Sequence, residues 1–123
     1  MTKLEKFASV YPWCIAPNFD KALDTVFEAE EQGNAYVVDG YLVLVDKLMP
    51  WYSTEYVLQE WLVLKLYDNG DLSKVPLALE AIAKTSDCKL VMTADSSPVN
   101  IMAKAYNDAG FSSLTQSFYK RVP

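Results

Sequence analysis

Histidine occurs nowhere in the 123 residues, and that absence excludes more chemistry than any residue present. Imidazole general-base catalysis, Ser-His-Asp and Cys-His nucleophile systems and His-ligated zinc all need a side chain this chain does not have. Cysteine is almost as scarce. Cys14 and Cys88 are the only two, far apart and in no CxxC spacing, so they supply neither a zinc site nor a disulfide framework. Their plain reading is two small buried hydrophobes in a reducing compartment. Positive charge is in deficit: 11 Lys and Arg stand against 16 Asp and Glu, a formal net charge of −5. That balance disfavours a nucleic-acid surface or an anionic membrane, and it favours a basic surface on any protein partner. Long apolar runs are missing too. The longest, residues 61–67, is interrupted by Lys65, well short of the roughly 18–20 residues of a membrane span. Behind Lys3 and Lys6 there is no apolar stretch of the signal-peptide kind. The expected location is the cytoplasm.

What is present is ordinary globular material. Hydrophobic residues make up 51% and charged residues 22% of the chain, enough to build one core in a single domain over residues 1–123. Asn18 is placed to cap a helix, and Phe19, Ala22, Leu23, Val26 and Phe27 follow at helical spacing on one face. Gly33-Asn34 ends that helix. Glu28, Glu30 and Glu31 crowd its C-terminal end against the dipole, so that end is expected to fray. Asp39-Gly40 between the β-branched and aromatic runs 35–38 and 41–45 supplies the positive φ angles of a type I′ hairpin turn.

A loop over 46–54 then leads to a long strand, 55–68. Strict alternation puts Tyr56, Leu58, Glu60, Leu62, Leu64 and Leu66 on one face, and both faces are mainly apolar. Asn69-Gly70 breaks the strand, and a helix starts between Ser73 and Pro76 and stops near Ser86. Its apolar face is Val75, Ala78, Leu79 and Ile82. Residues 89–94 read as a short buried strand. Ser96 or Ser97 caps a helix over 98–109 that Gly110 closes, and 114–122 reads as a last strand. A meander followed by two helix crossovers is an α+β chain with a mixed, mostly antiparallel sheet and helices on both faces.

This order resembles the GNAT (Gcn5-related N-acetyltransferase) fold over nearly the whole chain, most specifically in the last third. There a strand, a helix and Gly110-Phe111 look like the family's second motif. The resemblance implies that Tyr106, four residues before Gly110, is the general acid, and that Asn100 is the asparagine near the helix start. It implies acetyl-CoA as cofactor and a small-molecule or protein amine as acceptor. Glu60 would accept the amine proton, and a β-bulge and splay after the long strand would let backbone amides near Leu64 and Leu66 hold the thioester carbonyl. The chain is also similar to short GNAT-like proteins of tailed bacteriophages, whose aromatic-basic ending matches Phe118-Tyr119-Lys120-Arg121; that would place it in a host cytoplasm or a virion.

The loop after the long strand departs from the family. The expected Gln/Arg-x-x-Gly-x-Gly/Ala run, whose amides hold the coenzyme pyrophosphate, is replaced by residues 67–76 with one glycine, two acids and a proline. Only Asn69, Gly70, Ser73 and Lys74 favour an anion, so coenzyme A is expected to bind weakly or not at all.

The individual residues have plainer readings as well. A carboxylate among leucines is either a base with a raised pKa or a structural group paired with Lys65, Lys89 or a backbone amide. Tyr106 fits core packing. Pro50-Trp51-Tyr52, with Trp13, lines an acceptor pocket or a protein-binding patch, or staples a loop onto the sheet. Asp68 and Asp71 read as a solvated loop rather than a metal site. Two functions follow, an acyl-CoA-dependent N-acyltransferase or a catalytically silent GNAT-fold protein acting by contact, as a virion component or an inhibitor of a host factor.

Overall fold

The computed structural model describes residues 16–93, 101–114, 118 and 120–123. Its elements run α1 (Phe19–Glu31), β1 (Ala35–Val38), β2 (Tyr41–Leu48), β3 (Tyr56–Lys65), α2 (Lys74–Thr85), β4 (Cys88–Met92) and α3 (Ile101–Asp108). The four strands form one sheet in the order β1-β2-β3-β4. β1 pairs antiparallel with β2, β2 antiparallel with β3, and β3 parallel with β4. The crossover to β4 passes through α2, as the sequence order requires.

Local chemistry accounts for the boundaries. Asn18 Oδ1 accepts the Lys21 amide at 3.0 Å and starts α1. Asp39 and Gly40 both have positive φ, 43° and 86°, the signature of the type I′ turn joining Val38 to its partner Tyr41. The charged end of α1 carries a cap. Gly33 has φ 74°, and the amides of Gly33 and Asn34 return to the carbonyls of Glu30 and Ala29. That left-handed cap satisfies orphan carbonyls despite the acids.

The core lies between the sheet and two helices. Val43, Val45 and Leu58 from the sheet, Val75, Leu79 and Ala83 from α2, and Tyr106 from α3 form one buried cluster. Leu44 alternates with Val43 and Val45, so it faces the other way, and it is fully buried there too. α1 contacts β1 and β2. It buries Ala29 and half-buries Ala22 and Val26, while Phe19, Leu23 and Phe27 stay exposed. Its inner face is therefore narrower than the five-residue stripe read from the periodicity.

Two sequence expectations are corrected. First, β3 does not alternate along its whole length. Leu44 pairs with Leu62 but Val45 pairs with Glu60, so Trp61 is an extra residue, a β-bulge that reverses parity. Glu60 therefore shares a face with Val45, Leu58 and Val63, and Leu62 and Leu64 turn to the opposite face with Leu44. Second, a final strand is not seen among the described residues: Leu114, Phe118 and residues 120–122 lie outside the sheet. The rest of that run, with Asn100, Ser96, Ser97, Trp13 and Cys14, lies outside the described residues.

Candidate functional site

Glu60 and Tyr106 meet directly. Tyr106 Oη donates to Glu60 Oε1 at 2.8 Å, with Glu60 3% and Tyr106 5% exposed. An acid and a base working on opposite sides of a thioester would need a cleft between them; here the two side chains are in direct contact. Of the lysines expected near it, Lys65 Nζ lies 3.9 Å from Asp68 and Lys89 Nζ lies 3.6 Å from Asp87. Among the described residues, no buried side-chain nitrogen or oxygen lacks a hydrogen-bond partner, as a chain that keeps a carboxylate in its core requires.

Each member is positioned by a separate device. On the helix side, Gly110 takes φ 89°. The Phe111 amide then reaches back to the Tyr106 carbonyl at 2.9 Å and the Gly110 amide to Asn107 at 3.1 Å. This is a complete Schellman cap, and its usual apolar contact is the Phe111 ring, 5.2 Å from the Tyr106 ring. The Gly-Phe pair thus fixes both backbone and ring of the tyrosine.

On the sheet side, among the described residues β3 and β4 pair from Tyr56↔Cys88 to Gln59↔Met92, while β3 runs on to Lys65. Glu60 is the first residue past the parting and Trp61 the bulge beside it. The Gln59 side-chain amide bridges the parting, donating to the Glu60 carbonyl at 2.8 Å and the Met92 carbonyl at 3.5 Å. The sequence reading missed Gln59, because only the parallel pairing brings Met92 within its reach.

The other expected residues sit elsewhere. The Leu66 amide is bonded to the Gly40 carbonyl at 2.8 Å, so that amide is already engaged within the fold; Leu64 pairs with Leu42. Asn69, Gly70, Ser73 and Lys74 lie around the start of α2. There the Asp71 amide donates to Asp39 Oδ2 at 2.8 Å. The Ser73 amide and hydroxyl donate to Asp71 Oδ1 at 3.0 and 2.7 Å. Lys74 Nζ lies 3.7 Å from Asp39 Oδ2. Hydrogen bonds from the Ser73 hydroxyl and then its amide hold the Asp71 carboxyl below its ordinary range. A side chain on Gly70 would collide with the Asp39 carbonyl oxygen, so glycine serves close approach to the hairpin here. Coenzyme A needs open amides at this helix start, and two amides of this loop and its one lysine already face carboxylates. The residues present do not fit a diphosphate.

Trp51 and Tyr52 do not staple their loop to the sheet. Trp51 is 96% exposed, and its ring meets Tyr52 edge-on at 5.5 Å. Lys47 Nζ instead sits 4.4 Å over the Tyr56 ring.

No family model matches the sequence, and no curated protein matches it. Solved structures do. A structure described as a probable acetyltransferase superposes with a TM-score of 0.68 at 9% identity, over 98% of this chain and 85% of that one. A GNAT family acetyltransferase from Staphylococcus aureus gives 0.57 at 14% identity, over 98% and 90%. The fold is that of the GNAT acetyltransferases. The GNAT fold is equally that of a transcriptional regulator from Bacillus halodurans, with a TM-score of 0.58 at 13% identity over 99% and 96%. Identities this low carry the fold and leave the chemistry to the residues. Among the described residues, no helix is long and apolar enough to cross a membrane.

Proposed function

We propose that this chain is an N-acyltransferase of the GNAT kind whose chemistry is concentrated in one proton-handling pair. The observation that carries the reading is the buried Tyr106 Oη to Glu60 Oε1 hydrogen bond beside the parting of β3 and β4. When an acyl group moves from a thioester to an amine, a C–N bond forms, a C–S bond breaks and one proton must pass from nitrogen to sulfur. Glu60 accepts the nitrogen's proton and Tyr106 gives its own to the sulfur. The hydrogen bond between them then returns the proton from Glu60 to Tyr106, and the pair is ready again. The acceptor is an amine, on a small molecule or a protein. Acetyl-CoA is the donor that GNAT neighbours suggest. The start of α2 does not fit its diphosphate, so no step is assigned there.

Acyl transfer to a panel of amines, from acetyl-CoA and from acetyl-pantetheine, tests the reading in the parent, Glu60→Gln and Tyr106→Phe. Each variant is expected to lose roughly 10²–10⁴-fold in rate while remaining folded. A parent inactive with both donors retires the proposal.

A second reading is favoured by the filled loop before α2. Here the chain is a silent GNAT-fold protein acting by contact, and its net charge of −5 suits a basic surface on the partner. In that case Glu60→Gln gains stability by removing a buried charge, and no variant changes any transfer rate.

A further inference from the structure

We infer that Asp39, a residue of the β1–β2 turn, is the built-in anion of the loop leading into α2 and stands where the fold would otherwise receive a ligand phosphate. This goes beyond the acyl-transfer reading and holds whether or not Glu60 and Tyr106 turn over.

Three independent contacts converge on the turn. The Asp39 carboxylate accepts the Asp71 amide and lies beside the Lys74 ammonium, an amide and a cation of the type that hold phosphate oxygens at helix starts. The Asp39 carbonyl packs so closely on Gly70 that no side chain fits there. The Gly40 carbonyl takes the Leu66 and Tyr67 amides at 2.8 and 3.3 Å. The Ser73 amide is taken by Asp71. Ser73 itself makes no side-chain cap bond to α2; the first helical amides, Lys74 and Val75, go to the carbonyls of Asp71 and Leu72, and the carboxylates hold the amides of the loop just before them. The glycine that would serve anion approach in a phosphate loop here serves approach of the hairpin.

The inference is tested by amide-resolved NMR on the whole chain. Inorganic pyrophosphate or coenzyme A, titrated to about 10 mM, is expected to leave the Asp71 and Ser73 amide signals unmoved, including in a sample where coenzyme A moves signals elsewhere. Saturable movement of those two amides overturns it. Asp39→Gly is the companion variant: glycine accepts the 43° φ without strain and removes only the carboxylate. Hydrogen exchange at Asp71 is expected to quicken about tenfold in Asp39→Gly while exchange at Leu58 is unchanged. Unchanged exchange at Asp71 overturns the assignment.

Discussion

The Tyr106 hydroxyl and the Glu60 carboxylate are 46 residues apart in sequence and 2.8 Å apart in the fold. Neither is at home in a core without the other. A buried carboxylate needs a donor, and a buried phenol needs an acceptor.

A double-mutant cycle measures that dependence. Tyr106→Phe leaves Glu60 without this donor and is expected to cost about 1–3 kcal/mol by urea denaturation. With Glu60→Gln as the second change, the phenylalanine variant should cost less, giving a coupling energy of about 0.5–3 kcal/mol. Strict additivity would show that the 2.8 Å contact carries no energy.

Two glycines should respond to alanine for different reasons. At Gly110 nothing lies within 4 Å of an added Cβ, so Gly110→Ala costs only the left-handed backbone, about 1 kcal/mol. At Gly70 the backbone conformation is ordinary but the Asp39 carbonyl is in the way. Gly70→Ala must push the hairpin from α2 and is expected to cost about 1–3 kcal/mol, as overpacking does. Melting curves of the two variants settle the order.

The Asp71 carboxyl titrates lower in the fold than in the unfolded chain because Ser73 donates to its charged form. Its contribution to stability is therefore present above the unfolded pKa and disappears as pH falls through the lower, folded value. Asp71→Asn should lose that part of the acid sensitivity. The difference in Tm between parent and variant is expected to shrink as pH drops from about 5 towards 2. A constant difference would show that the Ser73 bonds do not discriminate charge.

Deleting Trp61 removes the extra residue without changing parity on either side, since Glu60 and Leu62 already pair with Val45 and Leu44. The shortened chain is expected to fold with stability within about 1 kcal/mol of the parent, because the core faces are kept. Its strand should be less bent beside Glu60, and circular dichroism with proteolysis checks that it remains native.

The elements that were legible in the sequence are those whose cause is local. Asp39-Gly40 announces its turn because both residues must take positive φ. The order of helices and strands follows from period and from Pro and Gly punctuation. The Tyr106 position was legible through Gly110-Phe111, which the structure explains as a cap. What could not be read were consequences of pairing. The resemblance implied a bulge near Leu64 and Leu66, but nothing in Glu60-Trp61-Leu62 places it at Trp61, since no glycine marks it. Gln59 looked like any polar strand residue until Met92 came beside it. Asp39 looked like turn chemistry alone, because its bond to Asp71 depends on β2 and β3 bringing the hairpin over the loop before α2. Phe19, Leu23 and Phe27 were assigned inward by their spacing, which says that a stripe exists but not how much of it the sheet covers.

The parallel junction of β3 with β4 also sets an order of events in folding. β1, β2 and β3 are joined by short connections and can zip together locally, whereas β4 must wait for α2 and its crossover to form. The Tyr106–Glu60 bond closes a still longer stretch of chain, so it is expected to form late, after the rate-limiting barrier. Substitutions at Tyr106 should then leave the refolding limb of a chevron plot in place and steepen the escape from the native state. The sheet can then be complete before the buried Tyr106–Glu60 bond has been made.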